Sequence, residues 1–329
     1  MRLQLPAFLR WRSRFRLRLA GVMAIGLAAI PSPAADRPGP TPRAAPRMLL
    51  LDGARADDAI VAVGERGTIL RTGDEAATWQ QVSSPTFATL TGVSFPPRAP
   101  GQAALRGWAV GHDAVILVTH DAGRTWSLQH QGEARQDSFL DVLALTADSA
   151  IAIGAYGLYL STADGGKTWE RRRLGPEDSH FNRLSQGPSG TLYLAGEAGT
   201  ILRSTDRGAT WSPRRTSYQG SFYGIVPLAE RTLLAHGLRG RIFRSVDDGA
   251  TWREVSSPSP ALLATGLRTQ RGDLVLAGQA RTLWVSRDQG GSFTATAEPP
   301  TTATAELIPL ADGRLLALGE AGATVLPAP

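Results

Sequence analysis

Thr72–Trp79 reads TGDEAATW, and the same eight-residue pattern returns at Thr119–Trp126 (THDAGRTW), Thr162–Trp169 (TADGGKTW), Ser204–Trp211 (STDRGATW), Ser245–Trp252 (SVDDGATW) and Ser286–Phe293 (SRDQGGSF). Its aspartates, Asp74, Asp121, Asp164, Asp206, Asp247 and Asp288, stand 47, 43, 42, 41 and 41 residues apart. Five of the eight tryptophans share one register. Self-similarity at a fixed period of about 40 residues is the mark of a repeat architecture.

Working outward, each pattern is preceded by two short apolar runs around a Gly-bearing turn, as in AIVAVGERGTILRT (59–72) and TLYLAGEAGTILRS (191–204). That is a hairpin signal. The hairpin occurs a seventh time, RLLALGEAGATVLP (314–327), without an Asp pattern behind it. Upstream of the hairpins lie further strand-like runs, among them LTGVSF (90–95), FLDVLAL (139–145), FYGIVPL (222–228) and AELIPL (305–310). The residues after each Trp supply a fourth strand. Four strands per repeat predict an all-β, seven-bladed β-propeller of four-stranded antiparallel blades over residues 47–329. Helical repeats share the period, but nothing here recurs at 3.6 residues and Gly punctuates every unit. The last blade ends after its third strand, so the ring needs either a strand from before Met48 or a three-stranded final blade. An open ring would leave strand edges exposed.

Within the repeated octet, Asp followed two residues later by Gly suits a tight hairpin turn. The carboxylate accepts backbone N–H groups, and Gly takes a backbone conformation other residues avoid. The aromatic residue (Trp79, Trp126, Trp169, Trp211, Trp252, Phe293) is expected to pack beneath the turn. Ala76 replaces that Gly in the first copy, whose turn is expected to be the most strained or the most altered. Six equivalent aspartates at turn positions point to structure, and no catalytic residue is assigned.

These motifs resemble the Asp-box, or bacterial neuraminidase repeat, of sialidases and many other propellers. The longer signature in VGERGTILRTGDEAATW and AGEAGTILRSTDRGATW most resembles the photosystem II stability/assembly factor family, over about residues 47–329. The resemblance implies an exported, seven-bladed, non-enzymatic propeller that works on a membrane protein or membrane-complex subunit. It also implies an arginine patch facing that client. The alternative is a sialidase-like or other carbohydrate-active or carbohydrate-binding propeller. Against it, a sialidase needs converging arginines, a Tyr–Glu nucleophile pair and an acid. The Arg-Ile-Pro segment usual in that family is missing, and the five tyrosines crowd into two or three blades.

The composition narrows the partners. The chain has 329 residues, 35 Lys+Arg against 29 Asp+Glu, 36 Gly, 22 Pro and no Cys. Without cysteine there is no disulfide framework, thiolate metal site or cysteine nucleophile. The net charge of +6 suggests nucleic acid, but its location argues otherwise. Arg2, Arg10, Arg12, Arg14, Arg16 and Arg18 precede an uncharged run from Leu19 to Ile30 and the small residues Pro31–Ala35. Residues 1–34 therefore read as a secretory signal peptide cut after Ala34, and 35–46 as a Pro/Ala-rich linker. Removing that segment leaves a neutral protein and no overall case for nucleic-acid binding. The expected location is periplasmic or secreted, and the expected form a monomeric propeller.

No cofactor or metal is expected. His112, His120, His130, His180 and His236 show no ligand spacing, and no Gly-rich loop opens a helix to cradle phosphate. Arginine remains: Lys167 is the single lysine, so nearly all positive charge is guanidinium. Arg172, Arg173, Arg183, Arg214, Arg215, Arg239 and Arg241 fall in blades 3 to 6, near His180, Tyr218 and Tyr223. Strand-four connections and the turns between strands two and three emerge on one ring face, opposite the Asp-boxes. Arg with aromatic residues is the composition of protein-binding hot spots. These ten residues are the expected partner-binding set.

Overall fold

A computed structural model describes residues 47–97, 105–132, 137–174 and 179–329. The expected signal peptide and linker lie outside the described residues. Seven antiparallel sheets follow one another along the chain, each strand paired with its sequence neighbour. Blades 1 to 6 have four strands and blade 7 has three. The innermost strands are Leu50–Ala56, Leu90–Ser94, Phe139–Ala144, Phe181–Gln186, Phe222–Pro227, Leu263–Arg268 and Thr304–Pro309.

The apolar second and third strands of each hairpin form the core. Ala59–Gly64, Gly107–Gly111, Ala150–Gly154 and their counterparts are buried along their whole length. Burial on both faces follows because each blade is sandwiched between two others, and the clusters accordingly cross blade boundaries. One joins Val61, Val63 and Ile69 of blade 1 to Leu90, Val93 and Val115 of blade 2. The Gly ending each second strand is dictated by close approach: a Cβ on Gly64 would lie 2.0 Å from the Leu49 carbonyl oxygen.

The ring closes without a fourth strand in blade 7 among the described residues. Leu50, Ile60, Leu70 and Trp79 of blade 1 share one cluster with Ile308, Leu316 and Leu318 of blade 7. Arg55 forks onto Glu75 with two 2.8 Å contacts and donates to the Pro309 carbonyl oxygen at 2.7 Å. Glu75 also accepts the Ala311 N–H at 3.0 Å.

Every innermost strand carries a bulge after its first residue, at Leu51, Thr91, Leu140, Asn182, Tyr223, Ala264 and Ala305. The residue after each bulge is Asp52, Gly92, Asp141, Arg183, Gly224, Thr265 and Glu306. These seven equivalent positions surround the axis of the ring.

Candidate functional site

The six Asp-boxes share one hydrogen-bond pattern. In the fourth, Ser204 Oγ donates to Asp206 Oδ1 at 2.7 Å, Thr210 N donates to the same oxygen at 2.8 Å, and Thr210 Oγ1 donates to Oδ2 at 2.6 Å. Asp121 repeats the set with Thr119 and Thr125, and Asp288 with Ser286 and Ser292. Because these donors favour the charged carboxylate, Asp164, Asp206 and Asp247 are held down to about 2, chiefly by the Thr two residues past the Gly. The Gly takes φ near +80° (Gly123 80°, Gly208 86°), and Ala76 in the first box sits at +69°. The strain expected there is present. The aromatic residues split: Trp79, Trp126 and Phe293 are buried, whereas Trp169, Trp211 and Trp252 are half-buried.

Boxes two to six are each also gripped by the preceding blade. Arg71 Nε donates to Ala122 O at 3.0 Å, Gln129 Nε2 to Gly165 O at 2.9 Å, and Arg172 Nη2 to Ala209 O at 2.6 Å. Arg214 Nε donates to Asp248 O at 3.1 Å, and Arg244 Nε to Gln289 O at 2.8 Å. Thus the five junctions from blade 1 to blade 6 use one device, a planar polar side chain on the carbonyls exposed where the box turns left-handed. Arg172 also lies over the Tyr159 ring, 5.9 Å from its centroid, and Tyr159 Oη donates to Gly208 O at 3.1 Å. The Tyr159 hydroxyl is pushed up by burial.

This grip relocates part of the expected partner-binding set. Arg172 and Arg214 were placed on the face opposite the boxes, but their guanidinium groups reach the boxes of the next blade. A long side chain leaves its strand in the direction of the nearest unpaired carbonyls, and the box supplies them. Arg183 is not on a loop either. It points into the channel, 3.3 Å from Asp52 and 3.7 Å from Asp141, and is paired with Glu306.

Of the remaining members, Arg239, Arg241 and Tyr223 lie near Tyr218, which shares a cleft with Arg173 and Arg215, while His180 stands apart. Arg239 sits at φ +58° in the tight turn Leu238–Gly240 and is exposed. Arg241 follows it and pairs with Glu254. Arg215 is exposed, while Tyr218 is half-buried, donates to Leu238 O at 3.0 Å and stacks on Phe222 and Phe243. The Tyr218 hydroxyl is pushed up by burial, against the pull of Arg241 and Arg239. Arg173, Arg215 and Tyr218 line a cleft of about 570 Å³ with Leu174, Trp211 and Gln219. His180 lies edge-on to Tyr156, centroids 4.8 Å apart, and 3.8 Å from Glu197. Tyr223 occupies the bulge at the channel mouth and is half-buried.

Sequence reasoning missed Tyr156. It is 64% exposed at φ +55°, a backbone region that is costly for an aromatic residue. The signal was an aromatic residue just before the turn Gly, where other copies carry Arg66, Ala198 or Arg239. Among the described residues no cluster of His, Asp or Glu is arranged to hold a metal, and no helix is long and apolar enough to cross a membrane.

Seven sheets arranged as consecutive blades, six of them carrying the repeated Asp turn, define a seven-bladed β-propeller. The chain belongs to the photosynthesis system II assembly factor YCF48 family, whose model matches residues 71–177 and 131–276. It is 27% identical over 169 residues to the chloroplastic photosystem II stability/assembly factor HCF136 of Arabidopsis thaliana, covering 48% of this chain and 40% of that protein. The rice (Oryza sativa subsp. japonica) HCF136 is 28% identical over 168 residues, covering 49% and 38%. The match therefore spans well under half the length of these curated relatives. Among solved structures, YCF48 bound to D1 peptide superposes with a TM-score of 0.70 at 21% identity, covering 90% of this chain and 98% of that one. YCF48 from Cyanidioschyzon merolae gives 0.68 at 17% identity, covering 88% and 96%. At these identities the structural likeness speaks for the fold.

Proposed function

We propose that this chain is an exported, non-enzymatic accessory protein that assists the assembly or stability of a membrane protein complex, with a photosystem II-type subunit as its client. The observation that carries the reading is the face opposite the boxes. Arg215 and Arg239 are exposed there with no hydrogen bond or ion pair among the described residues, each near Tyr218, whose hydroxyl is fixed on Leu238 O. Unpaired guanidinium groups fork onto carboxylates, and neighbouring aromatics add apolar contact, so the face suits an acidic, extended segment. Family membership supports the client class, as does the D1 peptide carried by a solved relative. Export rests on the N-terminal basic, apolar and small-residue pattern.

The carbohydrate-active alternative would need several arginines converging on the channel. Of the seven positions around the axis only Arg183 is an arginine, and three carboxylates surround it. Crosslinking the native protein in membranes of its host, followed by mass spectrometry, tests the proposal. A membrane-complex subunit crosslinked to the Arg215–Arg239 face supports it; crosslinks confined to soluble polysaccharide enzymes overturn it.

A further inference from the structure

The position after each innermost bulge does not repeat in chemistry. Its seven occupants are Asp52, Gly92, Asp141, Arg183, Gly224, Thr265 and Glu306, whereas the next position is always apolar or glycine: Gly53, Val93, Val142, Leu184, Ile225, Gly266 and Leu307. Arg183 of blade 4 meets Asp52 of blade 1, Asp141 of blade 3 and Glu306 of blade 7. Blades this far apart can touch only across the axis. All three carboxylates are buried: Asp52 and Asp141 are 4% exposed and Glu306 9%.

The charge does not balance. One guanidinium faces three carboxylates, and among the described residues no other cation pairs with them. Blades 2 and 5 contribute Gly92 and Gly224, and blade 6 contributes Thr265, whose hydroxyl donates to Glu306 at 2.8 Å. His236 fills the space beside Gly224, with Nδ1 3.1 Å from Leu263 O. Burial holds it down to about 4, so it is neutral at neutral pH. Backbone N–H groups help, Val93 donating to Asp52 and Leu184 to Asp141, each at 2.7 Å. They carry no full charge. Blade 7 depends most on this hub, since among the described residues it has neither a fourth strand nor an Asp-box.

We propose that the channel is a proton-linked clasp. With a proton bound among the carboxylates, blades 1, 3 and 7 close on Arg183; without it, the carboxylates repel one another and the seam at blade 7 loosens. Asp141 is pushed up to about 7 by burial and by the nearby Asp52, with Arg183 opposing, and Asp52 is pushed up by burial. A carboxylate raised in the folded state stabilises fully below its unfolded value of 3.8, and that stabilisation is lost as pH rises through about 7. His236 acts oppositely, its depressed value destabilising the fold as pH falls below 6.5 toward 4. Comparing variants with the wild type cancels that contribution.

The test is the thermal midpoint of the purified protein at pH 5 and pH 8, with backbone amide protection of Leu315–Gly319, for wild type and Asp141→Asn. The variant should gain about 3–6 °C on the wild type between pH 5 and pH 8. Wild-type protection at Leu315–Gly319 should fall at pH 8, and that of the variant should hold. Parallel midpoints, or equal protection in both proteins at pH 8, would overturn the proposal. If Asp141→Asn does not fold, Glu306→Gln removes the excess charge from another blade and is read the same way.

Discussion

Replacing Asp248 by alanine tests the grip between blades 4 and 5. Asp248 lies in the fifth box, accepts Tyr193 Oη at 2.5 Å and pairs with Arg203 at 2.6 Å, with Arg203 and Asp248 side chains 21% and 18% exposed. Alanine leaves the hydroxyl of the buried Tyr193 without its acceptor, costing about 1–3 kcal/mol. Breaking a fully buried ion pair costs about 3–5 kcal/mol, which the remaining solvent contact reduces to about 1–2 kcal/mol. Since the two losses share one carboxylate and are not additive, the expected total is about 2–4 kcal/mol. The residue also sits at φ +63°, which Asn tolerates better than Ala. Asp248→Asn keeps one acceptor and should cost about half as much. Urea unfolding followed by tryptophan fluorescence measures each free energy. In a double-mutant cycle with Tyr193→Phe, the coupling should reach about 1 kcal/mol. An Asp248→Ala protein within about 0.5 kcal/mol of wild type, or a cycle additive within about 0.3 kcal/mol, would refute the claim that boxes couple blades.

Ala76→Gly relieves a left-handed alanine and should raise stability by up to about 1 kcal/mol, read from the same urea titration; a loss of stability would contradict it. Glu75, held down to about 2 mainly by Arg55, stabilises above its unfolded value of 4.5 and loses that stabilisation as pH falls through about 2. Glu75→Gln should therefore flatten acid unfolding between those limits, and an unchanged acid profile would count against the Arg55 clamp. Intact-mass measurement of the native protein should show the loss of about 34 residues. An intact Met1 in a soluble cytoplasmic fraction would remove the case for export.

Blade number and strand order were legible because they rest on local spacing. The Asp-box closes within seven residues, Ser204 to Thr210, so its donors and acceptor are visible as a motif. The strain at Ala76 was legible for the same reason. What the arginines touch was not. Arg71 reaches Ala122 and Arg172 reaches Ala209, contacts 51 and 37 residues apart that exist only after the ring has formed. Counting Arg172 and Arg214 as surface charge missed that planar donors seek the carbonyls a left-handed turn exposes. Arg183, grouped with the partner-binding set, lies against the channel carboxylates. Aligning the innermost strands on the bulge sets it in a column with Asp52, Asp141 and Glu306. The closing blade was left open between two solutions, and blade 7 has three strands among the described residues. Its seam is held by Arg55, Glu75 and the apolar cluster shared with blade 1.

The central claim is that the face bearing Arg215 and Arg239 recognises an acidic segment of a membrane-protein client, and a direct titration decides it. A D1 peptide is titrated into wild type, into Arg215→Glu/Arg239→Glu, and into Arg124→Glu/Arg207→Glu on the box face. The account predicts that wild type and the box-face variant bind alike. Reversal at Arg215 and Arg239 should weaken binding at least about tenfold, or about 1.4 kcal/mol, with an unchanged unfolding midpoint and a shallower salt dependence. Equal affinity for all three proteins would contradict it, and so would a wild type that does not bind the peptide.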